Sequence, residues 1–257
     1  MNCSHVSIPS VAYALALVAL VTAPANCQIE KSPGTLYVVA AQIDTKVLKE
    51  GKEPNSREAT LLKKIVEERS IDYYAKVSTT VLTGEKANRE NILKALTDLG
   101  KKMTKQDAAI VFLAGHGSRH PTTNAYGYHP VGGAIAGEEI RRAFDTVRGR
   151  SILLLQSCHA NAIVETAQGQ DRPFARTLVL TTCTEEEKAT RVMGMLMIRG
   201  LSAMGANENG VVTSDSLTKQ IRRGADIVTK GNQTLHVSRP VGFEDFPLAP
   251  KGTLVKE

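Results

Sequence analysis

Two side chains with complementary chemistry stand at the ends of two short apolar runs. Ala108 to Gly117 reads AAIVFLAGHG and Ser151 to Ala160 reads SILLLQSCHA, so His116 closes one run and Cys158 the other, 42 residues apart. A thiolate is the nucleophilic form of cysteine, and a neutral imidazole can take up a proton and return it. A Cys and a His that reach each other in space therefore suffice for acyl transfer through a covalent intermediate, whatever their separation in sequence. Gly115 and Gly117 flank His116 and let a substrate approach the backbone closely. The amides of Gly117 and Cys158 are the candidate donors to the oxyanion that such a reaction develops. His159 follows Cys158 directly, so its side chain is expected to point away from the thiol and to serve packing. His120 and His129 are expected in a solvated loop. No CxxC or HxxxH spacing is present, and no metal site is predicted. Gly115 and Gly117 lack the third glycine of a dinucleotide loop, and Pro121 interrupts the helix such a loop should open.

Elements of a particular kind must position these two residues. The first run holds seven consecutive apolar residues (108–114) and the second four (152–155), without polar alternation and too short for a helix, which is the pattern of a strand buried on both faces. Between them Gly137 to Val147 (GEEIRRAFDTV) carries Ile140, Ala143, Phe144 and Val147 at helical spacing. Strand, helix, strand makes a crossover, so the two strands run parallel and their carboxyl ends share one edge. That edge is where open α/β sheets place their sites.

The remaining pattern repeats this alternation. Thr35 to Ala41 reads as a central strand, and Ser56 as the cap of a helix whose face is Leu61, Leu62, Ile65 and Val66. Tyr73 to Leu82 is a strand nearer a sheet edge, its composition being mixed. Asn88 caps a helix with Ile92, Ala95, Leu96 and Leu99 inward and Gly100 at its stop. Asn161 to Arg176 is polar and expected as an exposed loop. Thr177 to Cys183 is a fifth strand, Met193 to Ala203 a helix, and Ser214 the cap ahead of Leu217, Ile221 and Val228. Thr234 to Ser238 is a last edge strand, stopped by Pro240. The expected fold is α/β: a three-layer α/β/α sandwich around a mostly parallel central sheet of about six strands, in one domain over residues 32–257.

Composition narrows the function. The chain has 257 residues, net charge +6 and 4% aromatic residues. Its basic residues are scattered rather than striped, which argues against a nucleic-acid partner. Val11 to Val21 is an uninterrupted apolar run of signal-core length followed by Ala23, Pro24 and Ala25, although no Lys or Arg precedes it. Residues 1–25 are accordingly expected to be a signal peptide. The mature protein would begin near Asn26, exported to the periplasm or beyond, with no stable membrane association once the signal is removed. Three cysteines then remain, Cys27, Cys158 and Cys183, so at least one thiol is left over. The strand-end setting makes Cys158 that one, and pairing of Cys27 with Cys183 is left open.

AGHG at one strand end and QSCHA at the next resemble the catalytic His and Cys strands of the caspase-like cysteine peptidases, the group of caspases, paracaspases and metacaspases. The segments LTGEKANRENILKAL, GANENGVVTSDSLTKQI and FEDFPLA look like bacterial members, so the likeness runs from Thr35 to Ala249. The resemblance implies a caspase-like fold and hydrolysis of polypeptides. Cys158 would attack the scissile carbonyl. His116 would protonate the leaving amine and then activate water, with the amides of Gly117 and Cys158 holding the oxyanion. The substrate side chain would be received by Gln156, where metacaspases carry Asp and caspases Gln, and by Glu58, which aligns with a second acidic pocket residue. Arg57, Lys46 and Lys52 pull the other way, leaving a slight lean to cleavage after Arg or Lys. No cofactor is implied. Some metacaspases need calcium, but Asn207, Asn209, Gly210 and Thr213 lack the carboxylates of a calcium loop and read as a plain turn. A catalytically silent binding module on the same scaffold and a non-peptidase acyl hydrolase are the alternative functions.

Overall fold

The computed structural model describes residues 31–43, 57–165, 174–182 and 192–252. The signal-peptide reading, Ser56, Cys27, Cys183 and the basic residues Lys46 and Lys52 lie outside the described residues. Eleven strands and six α-helices are described. The strands are β1 (Ser32–Gln42), β2 (Tyr74–Thr83), β3 (Ala108–Ala114), β4 (His116–Arg119), β5 (Tyr126–His129), β6 (Ile135–Ala136), β7 (Arg150–Gln156), β8 (Thr177–Thr181), β9 (Val211–Thr213), β10 (His236–Ser238) and β11 (Pro247–Pro250). The helices are α1 (Arg57–Arg69), α2 (Arg89–Lys102), α3 (Gly137–Asp145), α4 (Ala162–Glu165), α5 (Met193–Arg199) and α6 (Ser214–Thr229). No helix among the described residues is long and apolar enough to cross a membrane.

The apolar runs become the middle of one six-stranded sheet, in the order β10-β8-β7-β3-β1-β2. Neighbours from β8 to β2 pair in parallel, and only β10 is antiparallel. Side chains alternate across a strand, so each run divides its residues between two layers. Leu36, Val38, Ala40, Ile110, Phe112, Ile152, Leu154, Leu178 and Leu180 form one core with Leu62, Ile65 and Val66 of α1, with α5, and with Leu217, Ile221 and Ala225 of α6. Val39, Ala41, Val111, Leu113, Leu153, Leu155 and Val179 form the other with Ile92, Leu96 and Leu99 of α2 and Ile140 and Phe144 of α3. Each such buried Leu, Ile or Phe contributes about 1.5–3 kcal/mol of transfer free energy, and this is why residues 108–114 and 152–155 include no polar side chain. The architecture is the expected three-layer α/β sandwich with a six-stranded, mostly parallel sheet.

The structure corrects several local expectations. Gly100 lies inside α2 rather than after it; the helix runs to Lys102, and the bare Gly100 Cα makes room for Thr146. Thr213, not Ser214, caps α6, its side chain accepting from the Ser216 amide. Val228 is half exposed, and the buried stripe of that helix is Leu217, Ile221 and Ala225. The segment expected as an exposed loop between β7 and β8 is buried at both ends, through Ala162, Ile163 and Phe174. After Arg199 the expected helix continues as a π-turn over Gly200–Met204. Two small sheets were not foreseen: β4-β5-β6, and β9 with β11.

Candidate active site

β3 and β7 end side by side, with Ala114 opposite Gln156, and the pairing continues one residue further as the Gly115 amide donates to the Gln156 carbonyl at 3.0 Å. Beyond this point the chains part. The chain after Gly115 turns out of the sheet into β4, the first strand of an antiparallel hairpin with β5, and His116 is its first residue, exposed. The other chain continues through Ser157 to Cys158, which is half-buried, and then His159 takes a left-handed φ of 57°. A non-glycine residue pays for that conformation, and such strain persists only where the surroundings hold the turn.

The two strand ends meet through Gly117. A Cβ there would lie 2.7 Å from Ser157 Oγ and 3.0 Å from Ser157 Cβ, and nearer still to the Cys158 carbonyl oxygen. No side chain larger than hydrogen fits without moving the backbone, so the residue after His116 lies directly against the turn that carries Cys158. Cys158 has no disulfide partner among the described residues.

A second group of side chains gathers on the α1 and α5 side of the same edge. Gln42, Ala114 and Gln156 are aligned across β1, β3 and β7. Gln156 is buried, and its Oε1 accepts from the Gly194 amide in the first turn of α5 at 2.8 Å, while its Nε2 has no partner among the described residues. Glu58, in the first turn of α1, accepts from Gln42 Nε2, and Gln42 Oε1 accepts from the Ala59 amide at 3.0 Å. A Cβ on Gly194 would lie 2.9 Å from Glu58 Cγ and 3.0 Å from Phe112 Cζ. Glu58 and Gln156, distant in sequence, thus flank one point at the start of α5, where a carboxylate and an unused amide are available to a polar group.

Sequence reasoning missed Gln42 and the hairpin. The hairpin is signalled by TyrGlyTyrHis alternation after ProThrThrAsn, a strand following a turn. His129, expected in a solvated loop, sits in β5 directly opposite His116, with its Nε2 2.6 Å from Ser118 Oγ. His120 is exposed at the hairpin turn and accepts there from the Thr122 and Thr123 amides at 3.4 and 3.3 Å. The Tyr128 hydroxyl donates to the Ala114 carbonyl at 3.0 Å, and full burial pushes its phenol well above the ordinary value. The Asn207 carboxamide oxygen accepts from the Asn209 and Val211 amides, so it closes its own turn. No group of three or more His, Cys, Asp or Glu side chains that could hold a metal is found among the described residues.

Residues 53–245 match the model of the caspase domain. Among solved structures, the Drosophila initiator caspase Dronc superposes with a TM-score of 0.58 at 12% identity, covering 98% of each chain. Caspase-1 from Spodoptera frugiperda gives 0.58 at 10% identity, over 88% of this chain and 94% of the other. Protein GSU0716 from Geobacter sulfurreducens gives 0.57 at 16% identity, over 85% of this chain and 98% of the other. No curated protein matches the sequence.

Proposed function

The chain belongs to the caspase-domain family, and from that premise we propose that it is a cysteine endopeptidase in which Cys158 is the nucleophile and His116 its acid and base. The observation that carries the reading is the packing of Gly117 against the Cys158 turn, which supports a meeting of imidazole and thiol at one sheet edge. Cys158 passes its thiol proton to His116 and attacks the scissile carbonyl as thiolate, forming the carbon–sulfur bond. The resulting oxyanion takes hydrogen bonds from the amides of Gly117 and Cys158. His116 gives a proton to the leaving amine as the carbon–nitrogen bond breaks, then removes one from the water that hydrolyses the acyl-enzyme.

The arrangement of Glu58 and Gln156 around Gly194 supports a receptor for a basic side chain. Among the described residues Glu58 accepts from the neutral amide of Gln42, an arrangement that supports a guanidinium or ammonium beside its carboxyl group, so cleavage after Arg or Lys is the reading adopted. Export rests on the apolar run Val11 to Val21 and the small residues after it.

The test is a positional-scanning library of fluorogenic peptides presented to the full chain, to Cys158→Ala and to His116→Ala. The wild type is expected to cut after Arg or Lys and both variants to be inactive. Full activity in either variant overturns the dyad, and preference for Asp overturns the assignment of Glu58.

A further inference from the structure

The hairpin that begins with His116 is tied to the sheet by two tyrosines of its second strand. Tyr126 and Tyr128 are two residues apart in β5 and share one face of it. Both are buried, within the core formed with α2 and α3. The Tyr128 hydroxyl donates to the carbonyl of Ala114, two residues before His116. The Tyr126 hydroxyl shares a 2.6 Å hydrogen bond with Ser157 Oγ, and Ser157 immediately precedes Cys158. Ser157 Oγ also lies against the Cα of Gly117, so hydroxyl, glycine and turn form one contact. The ring of Tyr126 is backed by Gly137 at the start of α3, where a Cβ would lie 3.3 Å from Tyr126 Cβ and Cδ1.

One strand thus grips both arms of the candidate dyad, at the bend leading to His116 and at the turn leading to Cys158. Two groups that exchange a proton must be held within a few tenths of an ångström, and a four-residue strand such as β4, with His116 exposed and the rest half-buried, cannot provide that alone. Buried hydrogen bonds between short, fully packed side chains can.

Resting on the peptidase reading, we infer that Tyr126, acting through Ser157, and Tyr128, acting through the Ala114 carbonyl, are positioning residues that set the separation of His116 from Cys158. Neither hydroxyl is needed to bind substrate, so their removal loosens the dyad and leaves substrate affinity alone.

The test uses the full chain with Tyr126→Phe, Ser157→Ala, the double variant and Tyr128→Phe. Two quantities are read: kcat and KM on a peptide substrate, and the rate at which iodoacetamide alkylates Cys158. Each single variant is expected to lower kcat about tenfold or more with KM within twofold, and the Tyr126/Ser157 double variant to be no worse than its worse parent, because one contact is lost in each. Alkylation should slow in step. On a His116→Ala background, Tyr126→Phe should slow it no further, which a general loosening of the fold would not reproduce. The inference is overturned if folded Tyr126→Phe and Ser157→Ala both keep wild-type kcat and alkylation rates, or if Tyr126→Phe slows alkylation equally without His116. A wild-type chain that cleaves no peptide refutes the peptidase reading instead, activity surviving in Cys158→Ala refutes Cys158 as its nucleophile, and in either case the alkylation series, which needs no peptide, decides the positioning claim by itself.

Discussion

Gly117→Ala adds a single methyl where the His116 strand meets the Cys158 turn, and its cost can be worked from the contacts there. On the present backbone the methyl lies 2.7 Å from Ser157 Oγ and 3.0 Å from Ser157 Cβ, and closer to the Cys158 carbonyl oxygen. Ordinary contacts between non-bonded heavy atoms are about 3.5–4.0 Å, so strand and turn must part by roughly 1 Å. Nothing in the way can rotate aside, since one obstacle is backbone and the other is a fully buried serine bonded to Tyr126. Overpacking of this kind costs about 1–3 kcal/mol of stability. A misplacement of about 1 Å between reacting groups costs on the order of 100-fold in rate. The expected outcome is therefore a folded enzyme whose kcat/KM on a fluorogenic peptide is down about 100-fold, equivalent to about 2.7 kcal/mol, most of it in kcat. Gly127→Ala is the control: its methyl would lie 3.3 Å from Ser118 Oγ, a side-chain tip that can give way, and should cost little. A folded Gly117→Ala enzyme within twofold of wild type would refute the packing of His116's strand on the Cys158 turn.

Two further outcomes concern stability. The Arg69 guanidinium donates to the carbonyls of Leu201, Ser202 and Pro250, joining the end of α1 to the π-turn and to β11, and burial lowers its pKa from the usual guanidinium value. Arg69→Ala should cost about 2–4 kcal/mol, read as a lower urea midpoint with the slope unchanged; a loss below about 0.5 kcal/mol would show these bonds to be exchanged for water at no cost. Glu138 is held below the ordinary carboxylate pKa, first by its hydrogen bond from Arg141 and further by Arg142. A depressed carboxylate stabilises the fold above its unfolded pKa and loses that contribution as pH falls through the folded one. Glu138→Gln should therefore cost about 0.5–1 kcal/mol at pH 7, the Glu138 carboxylate being solvent-screened although Arg141 is buried, and the deficit should close in melts taken below the ordinary glutamate range. A deficit that grows on acidification would reverse the sign of the argument.

The central sheet was legible because its strands obey one rule. All of β3 and residues 152–155 of β7 are buried on both faces, and an unbroken apolar run suits this; at the ends of β7, Arg150 is half-buried and Ser151 and Gln156 are buried with hydrogen-bond partners. The apolar stripes of α1 and α2 followed from helical spacing for the same reason. Of the hairpin only the β5 arm left a trace, the TyrGlyTyrHis alternation; β4 is HisGlySerArg, four residues with no apolar period to detect. The hairpin is fastened to the sheet by tyrosine hydroxyls, a tertiary effect that local pattern does not carry. Caps slipped for a finer reason. Thr213 and Ser214 are both capping residue types, and only the reciprocal bonds between Thr213 and Ser216 select the first.

The site itself was half legible, and strand parity explains which half. His116 and Cys158 announce themselves by reactivity and position, but what surrounds them depends on which side of the sheet each residue faces. Gln156 faces α5 and meets Gly194, whereas Ser157, one residue on, faces the opposite layer and meets Tyr126. Cys158 then stands where the sheet has ended and the left-handed His159 turns the chain away. Three consecutive residues are thereby given different surroundings by alternation alone: the first meets Gly194, the second is tethered to Tyr126, and the third is the candidate nucleophile at the turn. A slip of one residue in the pairing of β7 with β3 would exchange the tether with its neighbours and send Gln156 into the α2 layer. The apolar stretches 108–114 and 152–155 would barely register such a slip, since either face accepts any of their side chains. The polar ends must therefore fix the register: Gln156 on Gly194, Gly115 on the Gln156 carbonyl, and Ser157 on Tyr126. The contacts that hold the candidate residues in place are, on this argument, the same ones that tell the two central strands how to align.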